Sequence, residues 1–196
     1  VINGITLDQL SILGSMEDQV VSIQQGMVKK SDSSIKVRGK LPLGAFVTNE
    51  YVMDDMTKQF DVYVDMNEAN LSVLPLMFKE VQSADGAIRG VVHVTGNSAN
   101  ILANGTIELA NGTMQLKSLK KPVTQLKGQL AFRGNHVDIT GSTMMGKGNA
   151  GLSGNIGWMG PSITSYYGAL QMKGIEIGHE FYTGPLDGEL YIVDKQ

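Results

Sequence analysis

Apolar and polar residues alternate along most of the chain with a period of two. The segment "GAIRGVVHVTG" places Ile88, Val92 and Val94 on one face, whereas Arg89 and His93 fall on the other. The same alternation recurs in "LKGQLAFRG", "HVDITG" and "GNAGLSGNIGW", and in shorter stretches of the first third of the chain. Because successive side chains of a strand point to opposite faces, the pattern predicts a series of half-buried β-strands, roughly 14 in all.

The doubled stretch "ANGTIELANGTMQL", residues 103–116, predicts a β-hairpin. Asn-Gly is unfavourable inside a helix and is the preferred pair of a two-residue type I′ turn. A turn at Asn111–Gly112 pairs the flanking segments so that four apolar residues share one face: Ile107, Leu109, Met114 and Leu116.

The segment "LSVLPLMFKEV", residues 71–81, departs from the alternation. Pro75 is acceptable in the first turn of a helix, where its missing N–H is not needed. The apolar residues that follow it would supply one helical face. We therefore predict one short helix near 74–81, of about two turns.

A chain with so many one-faced strands and so little helix must cover its apolar face with the sheet itself. It can close into a sandwich or barrel, or bend into a U whose apolar interior stays partly open. At about 4.8 Å per strand the sheet would extend roughly 65 Å, which favours strong curvature. The sequence therefore predicts an all-β, antiparallel or mixed sheet, and alternation alone leaves both the closed core and the open groove as alternatives.

Composition narrows the function classes. The 196 residues are 42% hydrophobic and 18% charged, with a net charge of −3, which argues against disorder and against a nucleic-acid partner. The absence of Cys excludes a thiol nucleophile and a thiolate metal site. The histidines at 93, 136 and 179 lack metal-ligand spacing, and no apolar run is long enough to span a bilayer. We expect no catalytic residues, no metal, no cofactor and no enzyme activity.

Several motifs between residues 71 and 178 suggest a family. They are a "LSVLPL" stretch, a Gly-bounded strand from Gly86 to Gly96, and a repeated "NG" strand from Gly105 to Leu116. A Gly-rich strand that ends at Trp158 follows. In these features the chain resembles the C-terminal region of TamB-type proteins of the AsmA-like superfamily.

The resemblance implies a β-taco, a strongly curved U-shaped sheet with a continuous apolar interior. It implies that residues 1–196 form a single elongated segment of a longer periplasmic protein anchored in the inner membrane. Residues 1–70 and 71–196 could be sub-repeats of that segment.

The resemblance also implies a function and partners. Family members are implicated in moving phospholipid toward the outer membrane, and the partner expected here is therefore a phospholipid acyl chain. A scaffold for outer-membrane protein assembly with a TamA-type barrel partner, and a purely structural closed β-solenoid, are the alternatives. The residues expected to line a lipid groove are Ile88, Val92, Val94, Ile107, Leu109, Met114, Leu116, Leu130, Phe132, Val137, Ile139, Leu152 and Ile156.

Overall fold

The fold is built from long β-strands joined by short connections. The computed structural model describes residues 8–42, 59–97, 99–119, 121–179 and 182–194. The strands in these residues are β1 (Gln9–Glu17), β2 (Val20–Lys30), β3 (Ser33–Pro42), β4 (Phe60–Asn70), β5 (Val81–Gly96), β6 (Ile101–Leu116), β7 (Val123–Gly134), β8 (His136–Met145), β9 (Gly148–Met159), β10 (Ser162–His179) and β11 (Tyr182–Val193).

The eleven strands form one sheet in simple chain order, from β1 at one edge to β11 at the other. Every neighbouring pair is antiparallel. The two edge strands do not pair with each other, so the sheet is open. The predicted all-β class is confirmed as a curved, taco-like antiparallel sheet. The alternative of a closed sandwich or solenoid is wrong.

The predicted hairpin at Asn111–Gly112 is wrong, because β6 runs through both residues as one continuous strand. Asn111 has a φ of 53°, but Gly112 is not in the left-handed region that a type I′ turn requires at both central residues. The register to β7 instead shifts between Leu109 and Gly112, which marks a β-bulge. This merger of two predicted strands is one reason why the described residues contain fewer strands than predicted.

The bulge explains why the predicted faces are nevertheless correct. An extra residue in a strand reverses the inward and outward alternation that follows it. Ile107 and Leu109 precede the bulge at odd positions, and Met114 and Leu116 follow it at even positions. All four side chains therefore share one face without a turn between them.

The short helix lies where it was expected, but it is shorter. A 3-10 turn at Leu71–Val73 leads into α1, Leu74–Met77, which has Pro75 in its first turn. The Asn70 side chain accepts a hydrogen bond from the N–H of Ser72 at 2.7 Å and so begins the turn. Phe78 is already extended and Val81 begins β5, so α1 is a single turn rather than two. No helix in the described part of the chain is long and apolar enough to cross a membrane.

Two contacts show how strongly the sheet curls between β6 and β10. A flat sheet would hold β6 and β9 roughly 14 Å apart, since two strands lie between them. Yet the indole Nε1–H of Trp158 in β9 donates to the carbonyl oxygen of Ile101 in β6 at 2.8 Å. At the opposite strand ends, Lys121 forms an ion pair with Glu176 of β10. Both contacts join parts of the chain that at least two intervening strands separate in the sheet order.

Candidate functional site

Cross-strand pairing places apolar and glycine residues in continuous rows on the concave face, called the inner face below. One row passes from Ile88 in β5 to Leu109 in β6 and Gly128 in β7. It continues through β8 and β9 to reach Leu170 in β10. The next row contains Ile107, Leu130 and Ile139, one from each of three neighbouring strands. Residues paired directly across strands share a face, so the rows define one apolar wall.

The two rows enclose a cavity of about 390 Å³, called the central cavity below. It is open to solvent on one side, and its wall is almost entirely apolar. Six of the residues that the sequence assigns to a lipid groove line it: Ile88, Ile107, Leu109, Leu130, Ile139 and Leu152.

Small residues in the rows create the empty space. Gly128 and Gly141 pair with each other in the middle of the first row. The nearest atom to a Cβ built on Gly128 would be the Thr140 carbonyl oxygen at 3.5 Å, so no side chain fills this part of the wall. Leu109 and Leu152 flank the two glycines on either side of the gap. A leucine at either glycine would occupy the volume that is now free.

The other predicted groove residues also lie on the inner face, but outside the central cavity. Val92 and Val137 are buried. Met114 packs against a small buried cluster formed by Val123, Met145, Ala150 and Ile175 near one end of the strands. The remaining four are half-buried along the same wall: Val94, Leu116, Phe132 and Ile156.

Three large apolar residues that line the cavity are absent from the predicted set. Leu126 and Leu170 line the central cavity and lie on strands whose alternation already placed them on the apolar face. Leu71 reaches the cavity from the 3-10 turn and is buried. Its Cδ1 would lie 3.0 Å from a Cβ on Gly112, so the turn before α1 closes the cavity at the bulge in β6.

Charged groups pair with one another on the outer face. Lys36 lies 2.8 Å from Glu68, and Arg133 lies 2.6 Å from Asp138. The hydrogen bond from Lys36, and a second from Ser34, hold the pKa of the Glu68 carboxyl below its usual range. One further ion pair, between Lys30 and Asp8 at 3.5 Å, lies at one end of the inner face beside β1 and outside the central cavity.

An outer-face cluster surrounds His93. Its Nε2 lies 2.7 Å from an Asp61 carboxylate oxygen, and its ring stacks on Tyr63 at a centroid distance of 3.9 Å. The guanidinium of Arg38 covers the other side of Tyr63, 4.8 Å from the ring centroid. Among the described residues, no three His, Asp or Glu side chains are grouped so that they could hold a metal ion.

The apolar inner face continues to both edges of the sheet. In β1, Leu10, Ile12 and Met16 are paired with inner-face residues of β2 and are exposed. In β11, Leu190 and Ile192 are likewise exposed beside the inner face of β10. The apolar wall therefore extends as far as both edge strands of the sheet.

Comparison of the chain with protein-family models, with curated proteins and with solved structures found no match.

Proposed function

We propose that the central cavity binds the acyl chain of a phospholipid, and that the inner face carries such chains along the sheet. In this proposal the chain is a periplasmic segment of a TamB/AsmA-like bridge protein that moves phospholipid between the inner and outer membranes. The full-length protein would be anchored in the inner membrane. The observation that supports the proposal is the open, apolar central cavity, lined from six neighbouring strands of one sheet.

The size of the central cavity suits a single acyl chain. A water-sized group occupies about 30 Å³, so 390 Å³ accommodates about a dozen methylene groups. Each methylene that leaves water contributes about 0.8 kcal/mol, without any need for a hydrogen-bonding partner. The polar head group would remain at the open side in water. Transfer would then be movement along an apolar wall, with no covalent step and no catalytic residue.

Continuity of the inner face supports movement along the sheet. An acyl chain leaving the central cavity past Leu170 next meets Leu190 on β11, which is paired with it. In the other direction Val62 and Val37 extend the apolar face toward Ile12 on β1. Lys30, at the end of β2 on the same face as Val28, lies beside this path and pairs with Asp8.

Two neighbouring arginine substitutions test the proposal. Leu152 lines the central cavity yet is 45% exposed, so Leu152→Arg adds a charge at the site without burying it in the core. Ser153 is the next residue, is exposed and points to the outer face, so Ser153→Arg adds the same charge on the opposite side. Lipid that copurifies with each variant is measured by native mass spectrometry and by extraction.

We expect phospholipid with the unmodified protein and with Ser153→Arg, and strongly reduced phospholipid with Leu152→Arg. Thermal unfolding followed by circular dichroism checks that both variants remain folded. Protein that neither copurifies with phospholipid nor takes it up from added micelles would refute the proposal. Equal lipid loss in the two variants would refute the central cavity as the site.

The open edge of β1 favours a second candidate function. Among the described strands, β1 pairs only with β2, and its exposed residues include Leu10 and Leu13. Its nine residues contain no Pro and no charge before Glu17, so apart from the register shift at Leu13–Gly14 it lacks the usual protection of an edge strand. Such an edge can accept a strand of a client protein, as in assembly of outer-membrane proteins with a TamA-like barrel partner. Photo-crosslinking from position 11 would capture peptide in that case, whereas crosslinking from Leu109 would capture lipid under the first proposal.

A further inference from the structure

The tip and most of the length of the β9–β10 hairpin carry no charged residue. Every residue from 148 to 172 is uncharged, and Lys147 and Lys173 flank the run, although charged residues make up 18% of the chain. The run comprises all of β9, the turn at Gly160–Pro161 and more than half of β10. A solvated hairpin gains solubility from charges, so their absence indicates that this hairpin faces something other than bulk water.

Large apolar side chains project from the tip of this hairpin. Met159 and Ile163, on either side of the turn, are 70% and 66% exposed. Neither side chain belongs to the wall of the central cavity. Two exposed apolar side chains beside a Gly-Pro turn, with no charge nearby along either strand, form a compact apolar tip.

Aromatic residues lie just behind the tip. Trp158 precedes Met159, and Tyr166 and Tyr167 are exposed a few residues further along β10. Tyr167 pairs with Val193 of β11, and the exposed Tyr191 lies two residues before that position. The order from the tip inward is therefore aliphatic side chains first and aromatic side chains second. Trp and Tyr are enriched at the level of lipid head groups, where one end of the ring is dry and the other is wet.

We propose that the β9–β10 hairpin inserts its tip into the interface of a lipid bilayer. Met159 and Ile163 would enter the acyl region, while the exposed rings of Tyr166 and Tyr167 would lie at head-group level and Trp158 would stay bonded to Ile101 just behind them. Cross-strand pairing from Met159 and Ser162 inward already satisfies the backbone groups of the hairpin, which limits the cost of leaving water. Because the tip is uncharged and the net charge is −3, binding does not depend on anionic lipid.

The single tryptophan of the chain allows a direct test, because Trp158 lies at the base of the tip. Neutral phosphatidylcholine vesicles are added to the 196-residue protein, and binding is followed by vesicle flotation. We expect the Trp158 emission to shift to shorter wavelength and to be quenched by phosphatidylcholine brominated along its acyl chains. Raising the salt concentration should leave binding unchanged, since no charge contributes to it.

The chain offers a closely matched pair of variants. Met159→Asp/Ile163→Asp places two carboxylates at the tip, and we expect it to weaken partitioning into vesicles by about tenfold or more. Phe78→Asp/Val91→Asp makes the same changes at residues that are 53% and 40% exposed, one in the connection between α1 and β5 and the other on the outer face of β5; neither lines the central cavity. This control should bind vesicles like the unmodified protein.

Several results would overturn the proposal. The proposal is overturned if the unmodified protein does not bind neutral vesicles. In that case a protein partner for the same tip becomes the better hypothesis. It is also overturned if both double variants lose vesicle binding to the same extent. Binding that requires anionic lipid and is lost at high salt overturns it as well. Vesicle binding by Leu152→Arg separates this proposal from the function of the cavity, because that variant leaves the tip intact.

Discussion

Replacing Gly128 by Leu should separate the stability of the sheet from its capacity for lipid. A Cβ at this position meets nothing closer than 3.5 Å, and the residue is not in the left-handed region that would strain a leucine. Its side chain would enter the central cavity between Leu109 and Leu152. The substitution therefore fills the site without disturbing the strand.

The magnitudes of the two effects follow from this geometry. Removing a glycine from a strand relieves about 0.5–1 kcal/mol of backbone entropy cost. Partial burial of the new side chain adds about 1–2 kcal/mol, so the free energy of unfolding should rise. The four side-chain carbons displace about four methylenes of a bound acyl chain, which removes about 3 kcal/mol of its burial. Lipid affinity should then fall by about two orders of magnitude.

Gly151→Leu is the matched control. The backbone of Gly151 borders the central cavity, but the residue pairs with Ser142 and Gln171 on the outer face, so a side chain there would point away from the cavity, and its Cβ has no neighbour within 4 Å. Urea denaturation gives the stability of both variants, and titration with a fluorescent phospholipid gives their affinity. Gly128→Leu that is stably folded and binds lipid as well as the unmodified protein would refute the reasoning. A loss of affinity in Gly151→Leu of the same size would refute it as well.

Three further predictions concern the elements that shape the sheet. Trp158→Phe should lower the free energy of unfolding by about 1 kcal/mol, because the bond to the Ile101 carbonyl is lost. An unchanged urea midpoint would contradict that bridge. Asn111→Val should cost about 1–2 kcal/mol, since L-residues other than Asn and Gly avoid positive φ, whereas Asn111→Gly should be tolerated; equal stability of the two variants would argue against the bulge. Glu68→Gln should lower Tm at neutral pH, because the hydrogen bond from Lys36 that lowers the pKa of Glu68 stabilises the fold above the usual carboxyl pKa. That difference in Tm should disappear as the pH falls below about 4, and a difference that persists at lower pH would contradict it.

The faces of the strands could be predicted because they depend on neighbours in sequence. Alternation assigned Ile88, Leu130 and Ile139 to one wall, and all three line the central cavity. The period of two is a property of a single strand and needs no knowledge of its partners. The strand register then brings these residues together across the sheet.

The hairpin at Asn111–Gly112 could not be distinguished from a bulge by local sequence. Asn readily adopts a positive φ both in a type I′ turn and in a β-bulge. The two differ in whether the following residue also has a positive φ, as the turn requires. In β6 the bulge is compatible with continued pairing on both sides, to β5 and to β7. Those pairings join β6 to residues outside the segment 103–116, so they cannot be predicted from the sequence of that segment alone.

The volume of the central cavity and its closure by Leu71 also required the structure. The cavity exists because the sheet curls, and the curl accumulates from bulges and twist over several strands. The hydrogen bond between Trp158 and Ile101 joins positions 57 apart in sequence, and no motif marks it. Leu71 belongs to a 3-10 turn, where a period of two carries no information.

The chain-order topology of the sheet makes its length adjustable in steps. Each strand pairs only with the strands before and after it, as in a repeat protein whose stability is a sum over neighbours. Removing or duplicating two consecutive strands keeps the antiparallel pairing and keeps each side chain on its face. Removing or adding a single strand instead reverses the chain direction at the junction. The distance that such a sheet spans can therefore change in evolution, or by design, in units of one hairpin, about 10 Å at a time. The apolar wall remains continuous across each such step.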